Sequence, residues 1–75
     1  MRRAGTVERI SQGLLVVRTT DERYPSLGEH LLDDRLERVG TVVDVFGPVD
    51  RPWLAVDPAS DTDPPLLLGE PLYVR

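Results

Sequence analysis

Short runs of aliphatic and β-branched residues alternate with breaks that contain glycine or proline along the whole chain. Each run has the length of a strand, and none is long enough for a helix of three turns. The predicted strands cover residues 5–10, 14–20, 29–32, 38–46, 53–56 and 72–74, of which 29–32 is the weakest. This pattern predicts an all-β fold with five or six short strands.

The breaks between the runs predict how the strands connect. Ser11–Gln12–Gly13 separates the first two runs and predicts a β-hairpin, and a second turn is expected around Asp33–Asp34–Arg35. The polar stretch 57–65 is expected to be a long loop that Pro64 and Pro65 hold extended. An exposed sheet edge can pair with another chain, and closing the sheet on itself removes such edges. We therefore predict a small β-barrel.

The run from 38 to 46 can be divided into two faces, because side chains alternate along a strand. The face predicted to point into the core is Val39, Thr41, Val43 and Val45. The face predicted to point outward is Gly40, Val42, Asp44 and Phe46. The outward face mixes an acid, a glycine and an aromatic residue, which is typical of a surface that another molecule contacts.

Length and charge narrow the choice of function. The 75 residues allow one domain, 1–75, with no cysteine and no apolar leader or membrane-spanning run, so we expect a cytoplasmic protein. The chain has nine arginines, no lysine and 13 acidic residues, which gives a net charge of −4. A domain that binds nucleic acid by itself is usually basic. An acidic composition without lysine is also typical of proteins from salt-loving microbes. In such proteins the net charge is an adaptation to the salty solvent and says little about the binding partner.

The sequence offers little for catalysis or metal binding. His30, the only histidine, has no nucleophile in a recognisable arrangement and is expected to be an ordinary surface residue. Asp57, Asp61 and Asp63 lack the spacing of a calcium loop, and the glycines are too dispersed for a phosphate loop. We therefore predict no catalytic residue, no cofactor and no metal, and a binding module rather than an enzyme.

The segment from Phe46 to Trp53 is the best candidate for binding. One glycine and two prolines predict a stiff connection between two strands, and two of the four aromatic residues flank it. Rigid aromatic side chains beside an arginine are typical anchors of protein interfaces. The alternative that either aromatic simply belongs to the core remains open for each of them.

The run from Val39 to Trp53 strongly resembles the signature of the glycine–arginine-rich protein of H/ACA ribonucleoproteins, of the Gar/Naf family, in its short archaeal form. In that family a strand reading V-G-x-V-x-D-V-F-G-P-V leads through a proline to an aromatic residue. Residues 5–7, 11–13, 25–28 and 68–73 agree with other parts of the family pattern. The resemblance covers most of the chain.

This resemblance implies a six-stranded Greek-key β-barrel and a non-catalytic role. Such a subunit docks on the dyskerin-type catalytic pseudouridine synthase and influences its mobile thumb loop, aiding placement and release of substrate rRNA. Guide RNA and rRNA are partners through the particle, and the barrel is expected to be a monomer outside it. By motif position, the implied docking residues are Val45, Phe46, Gly47, Pro48, Val49, Pro52 and Trp53, with Arg51 as a polar contact.

Two other functions remain open at this point. One is an assembly factor of the same particle, which would occupy the synthase and later be replaced. The other is a free-standing RNA-binding barrel, which needs a basic groove with stacking aromatic residues.

Overall fold

The computed structural model describes residues 1–75, which form six β-strands and one short 3₁₀ helix. The strands are β1 (Arg2–Ser11), β2 (Leu14–Thr19), β3 (His30–Leu32), β4 (Arg38–Phe46), β5 (Trp53–Pro58) and β6 (Pro71–Val74). The 3₁₀ helix is Pro64–Leu67, between β5 and β6. All six predicted strands are therefore confirmed, and β1 and β5 are longer than predicted.

The strands close into an antiparallel barrel in the order β1-β2-β5-β4-β3-β6. Strands β3, β4 and β5 follow one another as neighbours, and β6 returns to lie beside β3, which is the Greek-key arrangement. The contact between β3 and β6 is the shortest in the barrel, with the single pair Leu32 and Tyr73. The predicted Greek-key barrel is confirmed, and closure leaves no strand edge free along the sheet.

Both predicted turns are present. Gln12 and Gly13 have φ values of 54° and 79°, and positive φ at both central residues is what a two-residue type I′ hairpin turn requires. In the second turn the Asp33 carboxylate accepts hydrogen bonds from the backbone N–H groups of Arg35 and Glu37, at 2.8 and 3.0 Å. Short polar side chains stabilise turns in this way.

The interior is one cluster of eleven buried aliphatic residues to which every strand contributes. Its members are Ala4, Val7, Leu15, Val17, Leu31, Val39, Val42, Leu54, Val56, Leu72 and Val74. Leucines from four different strands are completely buried in it. Neither Phe46 nor Trp53 belongs to the cluster, so the alternative that they are core residues is excluded.

The predicted inward face of β4 is wrong at Thr41 and Val43, and the predicted outward face is wrong at Gly40 and Val42, which are buried. Val42 is buried in the core, whereas Val43 is 48% exposed. The cause is two β-bulges: Val39 is an extra residue opposite β3, and Val43 is an extra residue opposite β5. Each bulge shifts the alternation by one position, so Val39, Val42 and Val45 all point inward although they are three residues apart.

The expected extended conformation at Pro64 and Pro65 is also wrong, because these residues begin the 3₁₀ helix. Proline has the φ value of a first helical turn and needs no hydrogen-bond acceptor there. The Leu66 N–H donates to the Asp63 carbonyl at 3.1 Å, and Leu67 packs against the core. Turning the chain at this point therefore places an apolar side chain on the barrel.

The acidic surface leads to a prediction about salt. Asp33 is the only acidic residue that is not exposed, and its contact with Arg35 at 3.7 Å is the only ion pair. Acidic groups without partners repel one another, and salt screens that repulsion. We expect partial loss of folded structure when salt is lowered from molar concentration to dilute buffer. Circular dichroism that stays constant over this range would contradict the prediction.

Candidate functional site

The candidate site is the hairpin formed by β4, β5 and the connecting residues 47–52. Phe46 ends β4, Trp53 begins β5, and the two residues pair across the hairpin. The preceding pair, Val45 and Leu54, points toward the core, so Phe46 and Trp53 lie on the outer face of the barrel. Phe46 is 40% exposed and Trp53 is half-buried. The hairpin therefore carries both aromatic residues on its outside.

Gly47 allows the indole of Trp53 to lie against the start of the loop. Its φ is +93°, in the region that favours glycine, and a Cβ at this position would lie 2.9 Å from Trp53 Cδ1. Any other residue would therefore combine an unfavourable backbone conformation with a steric overlap. The glycine fixes the direction in which the chain leaves β4.

The second half of the loop is attached to β2. The buried hydroxyl of Thr19 donates a hydrogen bond of 2.7 Å to the carbonyl of Pro52, and Arg51 Nε donates to the Thr19 carbonyl at 3.0 Å. Pro52 is buried, whereas Pro48 and Val49 are exposed. One half of the loop is thus fixed to the barrel, and the other half projects from it.

The Thr19 hydroxyl gives a stability prediction. In Thr19→Val the buried Pro52 carbonyl loses its side-chain donor but keeps the Thr19 N–H at 3.4 Å, and we expect the free energy of unfolding to fall by about 0.5–1.5 kcal/mol. Chemical denaturation measures this value. Thr20→Val is the control, because Thr20 is exposed and its side chain makes no hydrogen bond. Equal stability of the two variants would show that the Thr19 hydrogen bond does not fix the loop.

An exposed group of apolar side chains accompanies the hairpin. We call Val43, Phe46 and Val49 the apolar patch; they are 48%, 40% and 90% exposed. Leu27, 63% exposed, is close to β4, because the next residue, Gly28, donates its N–H to the Val42 carbonyl at 2.8 Å. The sequence did not predict Val43 and Leu27 as surface residues near the hairpin. The bulge at Val43 and the pairing of Gly28 with Val42 depend on contacts between strands, which no short sequence pattern indicates.

Seven of the eight predicted docking residues fall into two groups. Phe46, Gly47, Pro48, Val49 and Arg51 are exposed. Val45 packs against the core and Pro52 is buried, so these two shape the hairpin from within. The first group is positioned to contact another molecule, and the second is positioned to support it.

Trp53 is covered on its outer side by arginines. The Arg18 guanidinium lies 4.7 Å from the centre of the indole ring, and that of Arg9 lies 5.9 Å away. Arg18 is the residue opposite Trp53 on β2. These cation–π contacts hold the indole in place and leave only part of it accessible.

His30 and Asp44 make local contacts at the surface. His30 Nδ1 lies 3.0 Å from Thr41 Oγ1 on the exposed surface, and the Asp44 carboxylate accepts a hydrogen bond from its neighbour's N–H. No three His, Asp or Glu side chains come together in a way that could hold a metal ion. None of the helical structure has the length and apolar character needed to cross a bilayer.

Comparison with known proteins identifies a family that matches the whole chain. The family described as "Gar1/Naf1 RNA binding region" matches residues 1–75, which include the hairpin and all six strands. An uncharacterized protein of Methanothermobacter thermautotrophicus is 30% identical over 78 residues, covering 99% of this chain and 83% of the relative. The chain therefore belongs to the Gar1/Naf1 RNA-binding-region family.

Proposed function

We propose that the protein is a non-catalytic subunit of an RNA-guided H/ACA pseudouridine synthase particle that modifies rRNA. In this proposal it docks on the dyskerin-type catalytic subunit through the β4–β5 hairpin. The observation that carries the proposal is the rigid hairpin with its apolar patch, in a chain that belongs to the Gar1/Naf1 family. Family membership supports a role in an H/ACA ribonucleoprotein.

The hairpin has the physical properties of a docking site. Phe46 and Val49 expose apolar surface, while the contacts of Gly47 with Trp53 and of Thr19 with Pro52 hold the two ends of the loop. A surface that is already ordered loses little conformational entropy on binding, so more of the buried apolar area contributes to affinity. Aromatic anchors in such positions contribute most of the binding free energy.

The effect on the synthase would be a shift between states of its thumb loop. A partner that binds one loop state more tightly than the other moves the equilibrium by the difference between the two affinities. The barrel would supply no reacting group, since the isomerisation belongs to the synthase. It would act where the thumb loop grips or releases substrate RNA. In this proposal the protein is cytoplasmic, and it is a monomer when it is outside the particle.

The kinetics of pseudouridylation test this proposal. With the cognate synthase, guide RNA and substrate RNA, we expect the barrel to raise the multiple-turnover rate more than the single-turnover rate, because release of product limits only the former. The barrel alone is expected to convert no uridine. Identical multiple-turnover rates with and without the barrel would contradict the proposal.

A free-standing RNA-binding barrel is the second candidate, and the family's description as an RNA-binding region favours it. A gel shift of the isolated protein at its native salt distinguishes the two functions. Tight, salt-sensitive binding without the synthase would support the second candidate. If the protein is present in the mature, active particle, it is a permanent subunit. If it is absent from that particle, it is an assembly factor.

A further inference from the structure

Three arginines line a cleft on the outer face of the barrel, beside the docking hairpin. The arginine cleft is formed by Arg3, Arg18 and Arg51 together with three threonines and Glu8, and its volume is about 380 Å³. No hydrophobic residue lines it. The cleft is therefore a polar region next to the apolar patch.

The charge of the cleft is opposite to that of the chain. Three guanidinium groups and one carboxylate line it, in a protein whose net charge is −4. The only ion pair in the structure joins Arg35 and Asp33, which do not line the cleft. None of the three cleft arginines is therefore neutralised by a carboxylate of its own chain.

The arginine cleft and the apolar patch lie in one row across the sheet. Phe46 pairs with Trp53, and Trp53 pairs with Arg18 on the next strand. Arg18 in turn pairs with Thr6 on β1. All four side chains face outward, because a direct neighbour of each along its strand packs in or against the core cluster. Neighbouring strands are about 4.8 Å apart, so the row is about 14 Å long.

Contacts within the barrel hold the three guanidinium groups in place. Arg51 donates through Nε to the Thr19 carbonyl at 3.0 Å, and Arg3 donates to Thr6 Oγ1 at 2.9 Å. Arg18 stacks on Trp53, and its buried Nε has no hydrogen-bond partner. Arginines that are held in this way lose little side-chain entropy when they bind an anion.

A partner that docks on the hairpin would cover the cleft as well. A standard protein interface buries about 800 Å² on each partner, which corresponds to a patch about 30 Å across. Such a patch centred on Phe46 extends over the whole row. Docking would then remove water from the guanidinium groups, which is costly unless an opposite charge pairs with them.

We infer that the synthase surface that docks on the hairpin presents an aspartate or glutamate side chain to the arginine cleft. This inference rests on the proposed docking function and names the charge that the partner must carry. Guanidinium groups bind carboxylates through paired, charge-assisted hydrogen bonds. The cleft forms the polar rim of a docking surface whose apolar centre is the patch at Phe46. The negative net charge of the chain opposes a polyanionic strand far more than a single carboxylate.

The first test compares affinities for the cognate synthase subunit by isothermal titration calorimetry in molar KCl, with circular dichroism to verify folding. The cleft variant is Arg3→Gln with Arg51→Gln, both exposed. The control is Arg35→Gln with Arg38→Gln, which changes net charge equally at the opposite end of β4 from Phe46. We expect the cleft variant to bind about tenfold or more weakly than the control, because salt screens buried charge pairs only slightly.

The second test identifies the carboxylate of the partner. The chain has no lysine, so Arg51→Lys gives it a single side-chain amine, which a carbodiimide joins to a carboxylate in direct contact. Mass spectrometry of the treated complex should show residue 51 linked to an aspartate or glutamate of the synthase. Arg38→Lys, at the other end of β4, should give no such link. The same reaction on the free barrel identifies any link to Glu8 of its own chain.

The outcomes separate this inference from the docking function. Equal affinities of the cleft and control variants, or a complex in which Arg51→Lys gives no link to the synthase, would overturn the inference. If substitutions in the apolar patch still weaken that complex, the docking function stands without the acidic contact. Binding of RNA that is lost in the cleft variant while the affinity for the synthase is unchanged would also overturn it, and would assign the cleft to RNA. If the folded wild-type chain forms no complex with the synthase, both proposals fail.

Discussion

Replacing Phe46 by alanine together with Val49 by aspartate is expected to weaken binding to the cognate synthase subunit by about a hundredfold or more. Neither side chain belongs to the core, and they are 40% and 90% exposed, so the barrel should stay folded. The alanine removes the aromatic anchor. The aspartate places a charge where a docked partner would have to remove its water, which carries a large free-energy cost.

A matched variant separates docking from general loss of exposed apolar surface. Leu66 and Leu68 are 75% and 48% exposed on the connection between β5 and β6, outside the hairpin. Leu66→Asp with Leu68→Ala should therefore leave the affinity for the synthase almost unchanged. Isothermal titration calorimetry provides both affinities. Wild-type affinity in the hairpin variant, or the same loss in both variants, would remove the apolar patch from the docking surface.

The second large effect is expected at Gly47, where backbone conformation and packing can be measured separately. Gly47 and Gly69 have similar φ values, +93° and +80°, but only Gly47 has another group in the path of a Cβ, the Trp53 ring at 2.9 Å. Gly69→Ala should lower the free energy of unfolding by about 1–2 kcal/mol, from backbone strain alone. Gly47→Ala should cost about 1–3 kcal/mol more, because the indole must move.

Chemical denaturation of the two glycine variants provides this comparison, and binding to the synthase gives a second readout. We expect only Gly47→Ala to weaken docking, since displacement of Trp53 changes the shape of the hairpin. If the two variants lose the same stability and retain the same affinity, the contact between Gly47 and Trp53 does not organise the site.

The local features of the fold could be predicted from sequence. The two-residue turn at Gln12 and Gly13 and the turn at Asp33 depend on neighbouring residues, so their positions follow from residue types that favour turns. The strands follow from β-branched runs between such turns. The outward position of Phe46 also followed from simple alternation, although alternation alone did not hold along β4.

Other features depend on contacts that short sequence patterns do not encode. The bulge at Val39 arises where β4 pairs with β3, and the bulge at Val43 arises where β4 pairs with β5. Because of these bulges Val43, predicted to point into the core, points outward. The 3₁₀ helix that begins at Pro64 is favoured by packing of Leu67 against the barrel. For the same reason, Arg3, Arg18 and Arg51 are far apart in the sequence, and only the pairing of the strands brings them to one cleft.

Hydrogen exchange of the barrel with and without its cognate synthase subunit locates the docking surface. We predict a one-to-one complex in which protection increases at the non-proline amides of residues 47–53, while the turn at Gln12 and Gly13 exchanges as in the free chain. Failure to form a complex, or a complex in which protection appears elsewhere and residues 47–53 exchange unchanged, would contradict the claim that the β4–β5 hairpin is the docking site.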